Sequence, residues 1–304
     1  MSQLPAPPAH RLLGDTGIAV SPIAWGMWRL AEGGRGAGDA ARLVHAALDA
    51  GITLLDTADI YGFDGSSGFG DAESLLGEVL AAEPALRQRM VLATKGGIMP
   101  PLPYDQSPPY LGSAIEASLR RLKTETIDLY QIHRPDILAH PQEVARVLDD
   151  AVASGKVRAL GVSNYTPAQI ETLNAFLGRK LVATQPEISP LRIDCFENGE
   201  LDQAMRMGLT PLAWSPLGGG RLLSPETARD RAVAAELDRI GGEQGVSRSV
   251  AAYGWLMAHP AGIVPIVGSQ NAERIVEATQ ALTTRWTRQD WYAVLVAARG
   301  VPLP

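Results

Sequence analysis

Cysteine is nearly absent from this sequence, because Cys195 is the single thiol in 304 residues. One cysteine cannot close an internal disulfide, and it cannot supply the several thiolates that a metal cluster needs. Cys195 is therefore interpreted as a small buried hydrophobic residue. This cysteine usage fits a reducing compartment, and the expected location is the cytoplasm.

Long apolar runs are also missing. No stretch of about 18 apolar residues occurs, so the sequence predicts no membrane-spanning segment and no membrane partner. The segment Met1–Pro8 lacks the charged and apolar regions of a signal peptide. Residues 1–9 are therefore predicted to form a flexible tail, and residues 10–304 are predicted to form a single domain.

Neither positive charge nor histidine is abundant. The formal net charge of −6 argues against a nucleic-acid partner, since proteins that bind nucleic acid usually carry a basic face. The five histidines, at positions 10, 45, 133, 140 and 259, are scattered, and no His-x-His sequence occurs. A metal-dependent hydrolase needs clustered histidine and carboxylate ligands, so no metal site is expected.

The sequence does contain a regular alternation of short apolar runs and amphipathic stretches. The turn signal Gly14-Asp15-Thr16-Gly17 predicts a β-hairpin over residues 10–21. After it, strict strand–helix alternation predicts a parallel sheet with helices outside, and eight such units predict closure into an α/β fold, the (β/α)8 TIM barrel. A chain of 304 residues accommodates this fold, which needs about 250.

The pattern also assigns the individual elements, with an additional helix expected near the C-terminus. The predicted strands cover residues 23–28, 53–58, 91–94, 127–132, 157–162, 183–188, 210–214 and 263–267. The predicted helices cover residues 40–50, 72–82, 110–122, 141–154, 167–177, 199–207, 228–241, 248–258 and 272–280.

A doubly wound sheet is the alternative architecture for the same alternation. It would be supported by a G-x-G-x-x-G sequence directly after a strand, because that loop cradles a dinucleotide pyrophosphate in such sheets. No strand is followed by this motif, although residues 33–38 (GGRGAG) come superficially close. The closed barrel is therefore favoured.

Polar side chains follow three successive predicted strands. Asp56 ends one apolar run and Tyr61 stands five positions later, Lys95 ends the next run, and His133 ends the one after. The intervals are about one strand–helix unit long, so the three strand ends should meet at the carboxyl-terminal mouth of the barrel. Each residue alone has an ordinary explanation: a loop aromatic, a snorkelling lysine, a core histidine or a loop cap. Their joint occurrence at corresponding strand ends favours a site.

An acid, an ammonium, a phenol and an imidazole together can donate a proton during another transfer. Tyrosine has an ordinary pKa of about 10, and a nearby ammonium such as that of Lys95 should lower it. Asp56 would pair with Lys95 and keep it charged, while His133 could donate a hydrogen bond to a substrate oxygen. Such general acid catalysis typically contributes about 10² to 10⁴ in rate.

These residues and their surroundings resemble the catalytic tetrad of the aldo-keto reductases. Asp56, Tyr61, Lys95 and His133 stand in the segments LDTADIYG, ATKGG and YQIHRPD. The resemblance extends through GKVRALGVSNY, AWSPLGGGRL and PIVGSQNAERIVEA, and so covers essentially the whole chain. The C-terminal residues 282–302 resemble the bacterial YdhF-like subgroup of predicted oxidoreductases.

The resemblance implies a barrel that binds a nicotinamide dinucleotide without a Rossmann domain. In the family, a Ser-Asn pair and a Gln hold the nicotinamide carboxamide, and the matching residues here are Ser163, Asn164 and Gln185. The aromatic residue that stacks on the nicotinamide ring corresponds to Trp214, where most relatives have Tyr. An indole can stack as a phenol ring does, although a core aromatic is the simpler explanation.

Two further segments correspond to phosphate-binding parts of the family. The loop that crosses the pyrophosphate includes Ser215, Leu217, Gly219 and Arg221, and its glycines allow close backbone approach. The segment matching the adenosine 2′-phosphate site includes Gly268, Ser269, Arg274 and Glu277.

The 2′-phosphate segment decides the expected cofactor. The Arg274 guanidinium suits a phosphate, although an exposed pair with Glu277 is the alternative explanation for it. Gly268 and Gln270 stand where many relatives carry Lys or Arg, and Ala278 replaces a frequent Asn. Because Ser269 and Arg274 remain, NADP (as NADPH) is expected as the cofactor rather than NAD.

The resemblance implies a specific reaction, in which hydride passes between the nicotinamide C4 and a carbonyl carbon while Tyr61 acts as general acid. A small-molecule carbonyl or alcohol is the expected partner, and aromatic aldehydes, sugars, ketosteroids and pyridoxal all fit the sequence equally well. The alternative is an NADPH-binding sensing or regulatory subunit of the same fold with negligible turnover. The sequence sets no oligomeric state.

Overall fold

The computed structural model, which describes residues 3–303, contains a closed barrel of eight parallel strands. An antiparallel pair, β1 (Arg11–Leu12) and β2 (Ala19–Val20), precedes the barrel and forms the predicted hairpin. The predicted fold is therefore confirmed. The barrel strands are β3 (Ala24–Gly26), β4 (Leu54–Asp56), β5 (Val91–Gly96), β6 (Ile127–Ile132), β7 (Val157–Ser163), β8 (Ala183–Gln185), β9 (Thr210–Ala213) and β10 (Val264–Val267), with β10 paired to both β9 and β3.

Helices alternate with the barrel strands along the chain, as the sequence pattern predicts. Within residues 3–303, no helix has both the length and the apolar character that a bilayer crossing requires. The helices are α1 (Ala37–Asp49), α2 (Asp71–Ala82), α3 (Pro108–Leu122), α4 (Pro141–Ala153), α5 (Pro167–Phe176), α6 (Glu200–Met207), α7 (Ala228–Gln244), α8 (Arg248–Met257), α9 (Ala272–Ala278) and α10 (Arg288–Arg299).

Each helix reflects its sequence in its start and in its buried face. Helix α5 begins at a proline, which suits a first turn because the missing N–H has no partner there. Its preceding residue, Thr166, forms a reciprocal capping box with Gln169. In α1 the buried positions recur every three or four residues and form one apolar stripe. They are Ala40, Leu43, Val44, Ala47 and Leu48.

The alternation has two additions near the C-terminus. Two helices, α7 and α8, lie between β9 and β10, where a simple repeat has one. Helix α10 is the additional C-terminal helix, and it packs against α7. The N-terminal segment contacts the start of this region, because Gln3 forms a bridge with Thr287 and the Leu4 N–H donates to the Trp286 carbonyl at 2.7 Å. The division into a tail and a domain stays a prediction.

Strand β4, the first strand that ends in a site residue, is shorter than the sequence pattern predicts. The strand predicted over 53–58 ends at Asp56, although the Thr57 and Asp59 N–H groups still donate to carbonyls of β5, each at 2.9 Å. After β4 the chain therefore keeps its hydrogen bonds to β5 on one side but no longer pairs with β3 on the other. This course carries the backbone outward over the barrel mouth and brings Tyr61 above β5.

A cluster of buried polar groups lies between β5, β6 and the helices α2 and α3. Glu73 accepts hydrogen bonds from Thr94 Oγ1 at 2.5 Å and from Arg121 Nε at 2.7 Å. Asp59 is 1% exposed, and neither of its carboxylate oxygens has a hydrogen-bond partner among the described residues. Burial, reinforced by the negative charge of Glu73, raises the pKa of Asp59 well above its ordinary value. Asp59 is thus held towards its protonated form.

We predict that Asp59→Asn increases stability relative to the wild type, and increasingly so at higher pH. In the unfolded chain Asp59 loses its proton above a pKa of about 3.9, whereas the folded protein retains it to a higher pH. Between these two pKa values the free energy of unfolding of the wild type therefore falls as the pH rises, by up to about 1.4 kcal/mol per pH unit. Asparagine has no proton to lose. Urea unfolding at pH 5 and pH 8 measures the difference, with the exposed Asp15→Asn as control; a difference that does not grow with pH would contradict a protonated Asp59.

Candidate active site

The four residues predicted to form the site converge at one mouth of the barrel. Asp56 is the last residue of β4, Lys95 lies near the end of β5, and His133 directly follows β6. The His133 N–H donates to the Gly96 carbonyl at 2.9 Å, which fixes His133 beside β5. Tyr61 reaches the same place from the loop after β4. In a parallel barrel this carboxyl-terminal mouth is the usual place for an active site.

A buried ion pair forms the base of the site. Lys95 Nζ donates to Asp56 Oδ2 at 2.5 Å and to the Thr57 carbonyl at 2.8 Å. Lys95 is 0% exposed and Asp56 is 2% exposed. Burial disfavours the ammonium, but the charge of Asp56 and the contact with Tyr61 outweigh it and raise the pKa of Lys95. The site therefore holds a fixed positive charge.

Tyr61 lies over this charge at the partly exposed mouth. The Lys95 ammonium is 4.9 Å from the centroid of the Tyr61 ring, and the His133 ring meets Tyr61 edge-on at 5.7 Å between centroids. Burial raises the pKa of the Tyr61 phenol above its ordinary value, while Lys95 opposes the shift. This net direction is opposite to the sequence expectation, because dehydration of the phenolate outweighs the attraction of Lys95. The phenol consequently keeps its proton at neutral pH.

His133 is neutral in this environment. Its side chain is buried, and burial together with the positive charges of Lys95 and Arg134 lowers the pKa of His133 well below its ordinary value. A neutral imidazole carries one N–H group and can donate it to an oxygen in the site. His133 is thus suited to orient a ligand oxygen through its N–H group, and its environment disfavours the protonated imidazolium form.

Two buried glutamine side chains complete the coordination of Asp56. Gln185 Nε2 donates to Asp56 Oδ1 at 3.0 Å, and Gln131 Nε2 donates to the same oxygen at 3.3 Å. The pattern of polar strand ends does not single out Gln131, which lies on β6. Its signal is the two-residue period of a strand, since Gln131 precedes His133 by two positions and both face the barrel interior.

The predicted nicotinamide residues are connected to the tetrad by hydrogen bonds. Ser163 Oγ donates to the Gln185 carbonyl at 2.8 Å, and Asn164 Nδ2 donates to the His133 carbonyl at 3.2 Å. Trp214 Nε1 donates to Asn164 Oδ1 at 3.0 Å. Asn164 has a φ of 60°, in the left-handed region that asparagine adopts more readily than other non-glycine residues. These residues form one continuous polar network with the catalytic mouth.

The predicted pyrophosphate loop follows β9. Ser215 has a φ of 49°, and Gly219, with a φ of 67°, lies exposed in a tight turn. Leu217 is partly buried against the core. Arg221 is exposed but already engaged, since its Nη2 contacts Asp230 Oδ1 at 2.5 Å. The loop thus offers exposed backbone, and the guanidinium of Arg221 is bound by a carboxylate of α7.

The predicted 2′-phosphate segment follows β10. Trp25 Nε1 donates to the Ser269 carbonyl at 2.9 Å and so attaches this segment to β3. Gly268 and Arg274 are exposed. No ion pair joins Arg274 to Glu277, and the Arg274 side chain has no carboxylate partner anywhere in residues 3–303. The alternative explanation of Arg274 as half of a surface pair is therefore not realised.

The chemistry of these groups fits a nicotinamide dinucleotide. Gln185 Oε1 accepts no hydrogen bond from any described residue, so it can accept from a carboxamide NH₂ group. At the other end, Arg274 leaves its guanidinium available for a phosphate. In the described part of the chain, no group of three or more His, Cys, Asp or Glu side chains could hold a metal ion.

Comparisons with known proteins identify the family of this chain. A sequence model described as the aldo/keto reductase family matches residues 22–295. The chain is 78% identical over its full length, and over the full length of the relative, to a 6-dehydroglucose reductase of Novosphingobium aromaticivorans. It is 40% identical to a 6-dehydroglucose reductase of Agrobacterium fabrum, over 93% of this chain and 96% of that one.

More distant proteins share the same fold. The oxidoreductase YdhF of Escherichia coli is 37% identical over 95% of this chain and 97% of its own length. A crystal structure of the thermostable aldo-keto reductase Tm1743 with the inhibitor epalrestat superposes with a TM-score of 0.81, covering 95% of this chain and 99% of that chain. At 22% identity it shows the shared architecture alone. The family match and the full-length relative establish that this chain belongs to the aldo/keto reductase family and is an oxidoreductase.

Proposed function

We propose that this oxidoreductase reduces the aldehyde group of a sugar related to 6-dehydroglucose, with NADPH as the hydride donor. The observation that carries the chemistry is the buried Lys95–Asp56 ion pair, which places a fixed positive charge beside a protonated Tyr61. The substrate class is supported by two relatives, at 78% and 40% identity, that are named 6-dehydroglucose reductases.

The proposed proton transfer follows from the environments of three side chains. NADPH, when bound, supplies the hydride that is added to the carbonyl carbon. The carbonyl oxygen becomes negative as this happens, and Tyr61 donates its phenolic proton to that oxygen. Lys95 stabilises the phenolate form of Tyr61 that results, and Asp56 keeps Lys95 in place. The neutral His133 donates an N–H to the same oxygen and so orients the carbonyl.

The cofactor would be held at both ends by residues of this chain. Ser163, Asn164 and Gln185 are assigned to the nicotinamide carboxamide, and Trp214 to its ring. Ser215, Leu217, Gly219 and Arg221 are assigned to the pyrophosphate, with Arg221 shared between Asp230 and the phosphate. Gly268, Ser269, Arg274 and Glu277 are assigned to the adenosine end.

Two side chains at the rim of the barrel mouth favour a polar substrate. Arg134 directly follows His133, is half-buried, and has no carboxylate partner among the described residues. Its guanidinium offers five N–H donors to hydroxyl oxygens. Trp28, after β3, is 58% exposed and presents a flat apolar surface of the kind that a sugar ring packs against. An exposed aromatic ring and a guanidinium, each following a barrel strand at the same end of the barrel, suit a polyhydroxylated aldehyde better than a wholly apolar one.

We predict that Tyr61→Phe lowers the rate of NADPH oxidation with a sugar aldehyde at least tenfold, because the proton donor is lost. The dissociation constant of NADPH, measured by fluorescence titration, should stay nearly unchanged, since the phenol is not assigned to cofactor binding. The exposed Tyr292→Phe, on α10, is the matched control and should retain wild-type activity. An unchanged rate in Tyr61→Phe would remove the proton-donor role.

We predict that Arg274→Gln weakens NADPH binding at least tenfold and leaves NADH binding nearly unchanged, because a charge-assisted hydrogen bond to the 2′-phosphate contributes about 1.5–3 kcal/mol. Titration of each cofactor against the wild type and the variant measures the effect. The exposed Arg288→Gln, at the start of α10, serves as control. Equal losses for NADPH and NADH would contradict a role in reading the 2′-phosphate.

We predict that kcat/KM for 6-dehydroglucose exceeds that for benzaldehyde, and that Arg134→Met reduces this preference about tenfold by removing donors to the sugar hydroxyls. Steady-state assays of both substrates with both proteins measure the ratio. If the Arg134→Met variant loses both activities equally, Arg134 has no role in substrate selection.

Tight NADPH binding by the wild type without turnover of any carbonyl would instead indicate a sensing or regulatory subunit.

A further inference from the structure

Asp56 is coordinated from two sides by groups with different functions. Its Oδ2 atom accepts from Lys95 at 2.5 Å, on the side of the proton donor. Its Oδ1 atom accepts from Gln185 at 3.0 Å and from Gln131 at 3.3 Å, on the side assigned to the cofactor. Gln131 is 0% exposed, so its amide has no access to solvent and its bonds within the protein decide its orientation.

The amide of Gln185 is oriented by the same two neighbours. Its Nε2 group donates to Asp56 Oδ1 and, at 3.4 Å, to Gln131 Oε1. Both amide hydrogens of Gln185 therefore have acceptors inside the barrel. The carbonyl end, Gln185 Oε1, is left without a donor from the described residues. This acceptor is therefore available to the NH₂ group of the nicotinamide carboxamide to which Gln185 is assigned.

The aliphatic part of Gln131 is confined by the neighbouring strand. Gly161 on β7 lies against it, and a Cβ atom at that position would stand 3.0 Å from Gln131 Cγ. This distance is shorter than ordinary carbon contacts, so the glycine provides the space that Gln131 occupies. Tight packing of this kind holds a side chain in one rotamer and fixes the groups to which it is bonded.

We infer that Gln131 is a positioning residue that couples the cofactor end of the site to its proton-donating end. Through Nε2 it fixes the Asp56 carboxylate, which holds Lys95 beneath Tyr61, and through Oε1 it fixes the Gln185 amide. The inference rests on the proposed function for its catalytic half. Its cofactor half concerns the orientation of Gln185 and can be measured by binding alone.

The decisive variant is Gln131→Met, which keeps the volume of the side chain and removes both its donor and its acceptor. We expect kcat with 6-dehydroglucose to fall about tenfold and the NADPH dissociation constant to rise severalfold. Leu129→Met, a buried swap at the interior-facing position two residues earlier on β6, is the matched packing control and should change both quantities less than twofold.

A double-mutant cycle separates coupling from simple packing. In the Asp56→Asn background, Gln131→Met should cost much less in residual activity than it costs in the wild type, because the carboxylate through which Gln131 acts has already been replaced. Equal losses in the two backgrounds would overturn the role through Asp56. Thermal unfolding of each variant, in the absence of cofactor, shows whether a loss follows from reduced stability alone.

The outcomes distinguish this inference from the proposed function. If the wild type binds NADPH but does not reduce the sugar aldehyde, the proposed substrate is wrong, and the NADPH dissociation constants still test Gln131. If Gln131→Met matches Leu129→Met in both activity and binding, the positioning role is wrong. Should the methionine variant fail to fold, Gln131→Leu replaces it in the same comparison, because leucine also lacks the donor and the acceptor.

Discussion

The buried pair of Lys95 and Asp56 is the interaction on which the rest of this site depends. An ammonium with 0% exposure is costly unless its charge is matched and its hydrogens are bonded. Asp56 provides the charge and the Thr57 carbonyl provides a second acceptor. Asp56 and Lys95 meet because β4 and β5 are parallel neighbours whose carboxyl ends lie side by side, so the pair depends on the strand order of the barrel.

Burial sets the protonation states of the surrounding groups, and the ion pair modifies them. The positive charge of Lys95 contributes to the low pKa of His133, and it opposes the rise in the pKa of Tyr61 that burial causes. A neutral imidazole and a protonated phenol result, which are the two forms that can both donate to one developing oxyanion. Asp59, two residues before Tyr61, is also held in a neutral form by burial, because no cation among residues 3–303 forms an ion pair with it.

Different residues form the barrel and would select the substrate and the cofactor. The crystal structure of Tm1743 retains the architecture at 22% identity, which means that strand–helix alternation tolerates extensive replacement. Selection would be carried by strand-end residues such as Arg134 and Trp28 and by the segment around Arg274. These residues lie at the mouth, where exchange of a side chain does not disturb the packed core.

The sequence by itself determined the barrel, the hairpin and the meeting of Asp56, Lys95 and His133 at one mouth, because periodicity is local and equivalent strand ends must meet in a closed parallel sheet. Only the tertiary structure decided the partners and protonation states. The bonds of Gln131 to Asp56 and Gln185, and the burial that raises the pKa of Tyr61, arise between segments far apart in the chain. Distances and burial between such segments are set by packing, which no local pattern of residues encodes.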